Sequence, residues 1–247
     1  MTTSMRDQAE IRRSASKAAK AAKAPPKTAD LDRYVNPPAS TPYGLEYAHH
    51  LLGDVRGKTV LDLGCGLGGN IPALVARGAH VVAIDISPEL IEIARRRIPE
   101  LSSVYVRSAY STELPDEAVD VIFCIALIHD LDIPRVRDEM RRILKPGGYV
   151  ILKEPIRFSE TYGRLRKLFP EQVDVSPFEH PLTRDELKRI TEAFQVEGLR
   201  YFRLPFVPLI VRVFPSAQNW LIRSSDWLLK RRIGEKYGTE VVARLMK

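Results

Sequence analysis

The stretch Val60-Leu61-Asp62-Leu63-Gly64-Cys65-Gly66-Leu67-Gly68-Gly69-Asn70 limits what this chain can become more than any other. An apolar run passes into a turn that holds four glycines. Glycine has no Cβ, so such a turn can adopt positive φ and lie close against a ligand. A helix start follows, with N–H groups that have no partner in the helix. In open α/β sheets, ligands gather at this carboxyl edge of the strands, where strand order reverses.

The surrounding pattern agrees with that setting. Strands are expected at 59–63, 80–85, 104–106, 119–125, 149–153 and 196–204. Helices are expected at 45–52, 70–77, 88–97, 134–144 and 184–194. Ser87 caps one helix, with Pro88 at its first position and Glu89 and Glu92 in its early turns. Thr183-Arg184-Asp185-Glu186 reads as a capping box. Residues 119–125 are nearly all apolar, as central parallel strands are. Strand–helix units repeated at this length predict an α/β fold with a doubly wound, mostly parallel sheet. Residues 216–233 read as an amphipathic helix, and 239–245 as a last strand or helix.

The 247 residues suit one large domain, read here as 31–247, with a cofactor-binding core at 58–154. Residues 155–181, rich in Arg, Phe and Pro, interrupt the alternation as an insertion, and 204–235 form a cap on the acceptor side. Residues 1–30 read as a disordered basic tail or a loosely formed helix, because they hold almost no large apolar side chains. Seven of the chain's Lys and Arg lie in residues 1–27 against two acids. Most of the net charge of +7 therefore belongs to the tail, and it says little about the partner of the folded domain. Cys65 and Cys124 form neither a disulfide framework nor a zinc pattern, and no metal is expected. No apolar run is long enough to span a bilayer, and a cytoplasmic setting is expected.

Two carboxylates frame the turn. Asp62 lies two residues before the first glycine, where it could meet a cationic group. A pyrophosphate would prefer no carboxylate so close. Asp85 ends the second strand, where it can accept both hydroxyls of a ribose, or serve only to cap the next turn. Gly64, Gly66 and Gly69 also satisfy the G-x-G-x-x-G of dinucleotide sites, which keeps an NAD(P)-dependent oxidoreductase open as a rival. His129, past the fourth strand, lies where an acceptor would meet a cofactor and can act as a base. Its plainer role is packing. Glu154 ends the fifth strand near the same edge, with Arg157 as a salt-bridge partner or a substrate contact.

In four ordered motifs, residues 58–154 resemble class I S-adenosylmethionine-dependent methyltransferases, close to the small-molecule group that includes quinone-biosynthesis enzymes. The motifs are residues 62–68, residues 81–87, residues 119–124 with 126–129, and residues 144–151. The resemblance implies a Rossmann-like sheet of about seven strands with the last antiparallel, so that 239–245 becomes a strand. It also implies S-adenosyl-L-methionine as cofactor, with Gly64, Cys65 and Gly66 on the methionine part, Asp85 on the ribose and Ile86 on the adenine. Many relatives carry an Asp after the third strand, facing the adenine amino group. Here Ser108 and Ala109 stand there, and Glu113 is a substitute acceptor. Asp62, Gly68 and Ile125 complete the expected cofactor set.

The resulting expectation is methyl transfer to an O, N or C atom of a small, apolar or aromatic acceptor. His129 and Glu154 are its catalytic candidates. Tyr43, Arg157 and His180 are candidate acceptor contacts, and Tyr34 and Tyr43 can close the cofactor pocket. The chain is expected as a monomer or homodimer that does not engage nucleic acid. Residues 204–233, with Trp220, Trp227 and flanking cations, suit internal or dimer packing, or peripheral contact with a membrane. The remaining rival is a cofactor-binding protein without catalysis, or one tethered to RNA by the tail.

Overall fold

The computed structural model describes residues 5–22, 31–159 and 180–247. Its centre is a seven-stranded sheet in the order β3-β2-β1-β4-β5-β7-β6. The strands are β1 (Thr59–Leu63), β2 (His80–Asp85), β3 (Val104–Val106), β4 (Val119–Ile125), β5 (Leu144–Pro155), β6 (Gln195–Phe202) and β7 (Glu240–Met246). β1 to β5 pair in parallel, and β7 runs antiparallel to both β5 and β6. The order reverses between β1 and β4, which opens a crevice at their carboxyl ends.

The helices are α1 (Met5–Ala22), α2 (Asp32–Val35), α3 (Gly44–Leu51), α4 (Ile71–Ala76), α5 (Pro88–Arg97), α6 (Ile133–Ile143), α7 (Arg184–Thr191), α8 (Val207–Val213), α9 (Gln218–Leu228) and α10 (Gly234–Tyr237). Alternate strand residues feed two cores, one on each face of the sheet. Leu61, Leu63, Ile122 and Cys124 join Val136 and Met140 of α6 and Leu187 and Ile190 of α7. Val60, Val121 and Phe123 join Ala48 of α3, Leu74 of α4 and Ile91 of α5. Each large side chain buried this way contributes about 1.5–3 kcal/mol.

The expected caps are formed. Ser87 Oγ accepts from Leu90 N at 3.3 Å. Thr183 and Glu186 complete the capping box in both directions. Asp132, which sequence reading passed over, accepts from Arg135 N at the start of α6.

Two of four segments differ from expectation. Residues 5–22 form a helix, one of the two readings of that segment. Ala, Arg and Lys are good helix formers, and Ser14 and Ala18 are buried where α1 meets α5. Residues 144–148, the end of the helix expected at 134–144 and the stretch before the strand expected at 149–153, already belong to β5. Leu144 pairs with Val119, and a register shift with Gly147 at φ +73° absorbs the kink. The helix expected at 216–233 is α9 followed by a π-helical turn at Leu229–Ile233. Most of the insertion expected at 155–181 lies outside the described residues; its ends meet where Ile156 bridges Leu182. No helix among the described residues is long and apolar enough to cross a membrane.

Candidate functional site

The glycine turn is fastened to the end of β2. Gly64 N and Cys65 N both donate to Ile84 O, at 2.8 and 3.0 Å. Gly66 N donates to Asp85 Oδ2 and Ser87 N to Asp85 Oδ1, each at 2.9 Å. Gly64 has φ +75°, and a Cβ there would stand 2.8 Å from the Leu127 side chain. The position thus needs glycine for both its backbone and its neighbour. At Gly68 a Cβ would press on Ile98 and Ala94, so that glycine seats the turn against α5.

A cavity of about 50 Å³ opens between these strand ends, lined by Leu63, Gly64, Ile84, Asp85, Ile86, Arg107, Ser108, Ala109, Leu127, Asp130 and Leu131. Of the residues expected to hold a cofactor, Gly64, Asp85, Ile86, Ser108 and Ala109 line it. Asp62, Cys65, Gly66, Gly68 and Ile125 lie around it but not in its lining. Leu127, Asp130, Leu131 and Arg107 are wall residues that were not expected. Only the fold brings the loop after β4 across the crevice to meet them.

The chemistry of this lining suits a nucleoside. Apolar side chains offer flat contact for a base, and Ser108 adds a hydroxyl. A carboxylate has about four acceptor sites, so the two backbone bonds to Asp85 are compatible with sugar hydroxyls as further donors. Glu113, the substitute acceptor, is instead paired to Arg107 at 3.1 Å and well exposed.

Asp62 is 1% exposed, and its Oδ2 has no hydrogen-bond partner. Burial, then the nearby Asp85 charge, push its carboxyl up to about 7, against a hydrogen bond from Asn70. An unsatisfied buried carboxylate beside the turn fits a cationic group. Asn70 also bonds His49, which sequence reading missed. Burial, then Arg77, hold His49 down to about 3, so it stays neutral. Its ring packs 4.8 Å from Phe123 and 5.0 Å from Tyr34.

These values predict a pH dependence. A carboxyl with a raised folded pKa stabilises the fold at acid pH, and that stability fades as pH climbs from about 4 to about 7. Asp62→Asn removes the loss, which is on the order of 4 kcal/mol at most. Melting curves at pH 5 and pH 8, without ligand, are expected to show the variant gaining over wild type by several degrees more at pH 8 than at pH 5. An equal shift at both pH values would contradict the raised carboxyl.

Glu154 is fully buried at the end of β5. Its Oε1 accepts from Leu127 N and Ile128 N, both at 2.8 Å, and its Oε2 lies 2.7 Å from His129 Nδ1. The partner of Glu154 is therefore His129 and not Arg157. A histidine that gives its Nδ1 proton to a carboxylate presents Nε2 as the basic nitrogen. His129 Nε2 stands 3.5 Å from Asp130 Oδ2, and Asp130 lines the cavity and meets Arg13 of α1 at 3.3 Å. His129 itself is 6% exposed.

The acceptor candidates lie further along the same edge. Tyr43 lines a second cavity of about 30 Å³ with Pro42, Phe202, Arg203, Val207, Ile222 and Ser225. Its hydroxyl meets Asn219 Oδ1 of α9 at 3.0 Å. Tyr34 and Tyr43 are absent from the lining of the first cavity. His180 faces its neighbour Pro181 O and Glu186. Arg157 is held by its backbone to Leu182 O. A buried pair, Lys153 with Glu240 at 3.0 Å, was not singled out from sequence. The thiols take no part: burial pushes Cys65 and Cys124 up and keeps both protonated.

Known proteins resemble this chain in sequence and in fold. Residues 61–152 match the profile of a methyltransferase domain. The chain is 39% identical over 103 residues to a demethylmenaquinone methyltransferase of Clavibacter sepedonicus, which covers 40% of this chain and 42% of that protein. It is 32% identical over 126 residues to a ubiquinone biosynthesis O-methyltransferase of Alkalilimnicola ehrlichii, covering 49% and 51%. The chain spans about half the length of the curated relatives it matches. In fold it resembles the crystal structure of a SAM-dependent methyltransferase from Aquifex aeolicus, with a TM-score of 0.55, 21% identity, and coverage of 87% of this chain and 96% of that one. The sequence match thus falls on the cofactor-side strands β1 to β5, and the fold likeness covers most of the chain.

Proposed function

We propose that this chain, which carries a class I methyltransferase domain, uses S-adenosylmethionine to methylate a small aromatic acceptor of the reduced-quinone type. The observation that carries the reading is the Asp85 carboxylate, held at the end of β2 by Gly66 N and Ser87 N on the wall of an otherwise largely apolar cavity. When bound, S-adenosylmethionine supplies an electrophilic methyl group on a sulfonium. Asp85 accepts the ribose hydroxyls, Ile86, Ala109 and Leu131 flank the base, and Ser108 offers it a hydrogen bond. The Gly64–Gly66 backbone and Asp62 receive the amino-acid end.

The acceptor class rests on the printed activities of the two relatives and on the chemistry of the acceptor side. A reduced quinone is flat and apolar and carries hydroxyl groups. Methylating a hydroxyl oxygen requires that a proton leave, and His129 Nε2, oriented through Nδ1 by Glu154, is the group to take it. Tyr43, Arg157 and His180 stand on that side as acceptor contacts.

Binding separates this reading from a nicotinamide enzyme. S-adenosylhomocysteine at 100 times its dissociation constant adds about 2.7 kcal/mol, which raises the melting temperature by about 5–10 °C in a chain of this size. NADH at the same concentration is expected to add nothing. The reverse result would replace the reading. Methyl transfer from labelled cofactor to a panel of hydroquinones, catechols and amines then tests the acceptor class.

A further inference from the structure

We infer that α8 and α9 form a docking face for an anionic lipid surface. The observation is geometric and independent of the reaction. Phe206, Ile210, Val213 and Phe214 fall at i, i+4, i+7 and i+8, so they form one stripe along α8 and its ends. All are exposed, Val213 and Phe214 by 68% and 61%. On α9, Trp220 and Trp227 share one face with Arg223 between them, and the two rings are 69% and 55% exposed. The opposite sides of both helices are taken: Val207, Ile222 and Ser225 line the cavity with Tyr43. Ile210, Val213 and Phe214 thus keep a large exposed apolar surface.

Charge decides what covers it. Between residues 203 and 230 the sequence holds Arg203, Arg212, Arg223 and Lys230 against one acid, Asp226. Asp226 is 7% exposed, and Arg200 and Lys230 hold it, so it offers no negative surface. A second copy of the same face would bring cation against cation. An anionic bilayer answers both features, since phosphate headgroups meet the cations while Trp and Phe enter the interface. β6 ends beside this face, at the edge of the sheet that carries Glu154, so a lipophilic molecule leaving the bilayer there arrives on the acceptor side.

The chain's only two tryptophans, Trp220 and Trp227, both lie on the face, so they report on it directly. The full chain is to be mixed with vesicles of pure phosphatidylcholine, and with vesicles containing one quarter phosphatidylglycerol. With the anionic vesicles, tryptophan emission is expected to shift to the blue and to be quenched by brominated acyl chains. Flotation should fall at least tenfold between 0.1 and 0.5 M salt. The double variant Val213→Asp, Phe214→Asp is expected to lose vesicle binding at least tenfold with unchanged melting temperature and S-adenosylhomocysteine affinity. Three results would overturn the inference. They are emission unmoved by anionic vesicles, binding that survives the double variant, or a concentration-dependent dimer that shields the tryptophans without lipid.

Discussion

Asp85→Ala is expected to weaken S-adenosylhomocysteine binding by a factor of 100 or more. A hydrogen bond to a charged acceptor is worth about 1.5–3 kcal/mol, and two sugar hydroxyls bring the loss to roughly 3–6 kcal/mol. The same carboxylate accepts Gly66 N and Ser87 N, so its removal also loosens the glycine turn. Asp85→Asn separates the two contributions. It keeps the shape of the side chain but turns one oxygen into a donor, so one of the two backbone N–H groups loses its acceptor. Calorimetric titration of the three proteins is expected to rank them wild type, Asn, Ala. An alanine variant that binds within threefold of wild type would remove the ribose role from Asp85.

The second large effect is on rate alone. His129→Gln is expected to lower kcat for a hydroxyl acceptor by about 10²–10⁴, the usual contribution of a positioned base, and to leave S-adenosylhomocysteine affinity unchanged. His129 is outside the lining of the nucleoside cavity, which is why binding and rate separate. Glu154→Gln is expected to reproduce part of that loss, because an amide can still meet His129 Nδ1 but no longer stabilises a charged imidazole. Glu154→Ala goes further, leaving Leu127 N, Ile128 N and His129 Nδ1 without their acceptor in a buried place. That costs about 3–5 kcal/mol of stability. A kcat for His129→Gln within threefold of wild type, in a protein that melts normally, would reduce the pair to a structural clamp.

The sheet was legible because its signals are local. The Val119–Ile125 run, the Ser87 cap and the Thr183 capping box each depend on residues within a few positions of one another. The glycine turn and Asp85 were legible for the same reason. What sequence reading missed are contacts made across long separations. Asp62 and His49 share Asn70 only because α3 packs on the sheet, with the His49 ring against Phe123 of β4. Glu154 pairs with His129 rather than the nearby Arg157 because the loop after β4 folds over the end of β5. Leu127 and Leu131 reach the cavity wall by the same fold of chain. Residues 5–22 were left open between tail and helix for a different reason. Composition poor in large apolar groups argues against a core, yet a helix of Ala and Ser can still lay one small-residue face on α5.

A crystal structure of the chain grown with S-adenosylhomocysteine is the most direct test. The expected result has both ribose hydroxyls on the Asp85 carboxylate, the base between Ile86 and Leu131, and the amino group within reach of Asp62. The same nucleoside bound anywhere else, with neither ribose hydroxyl on Asp85, would contradict it.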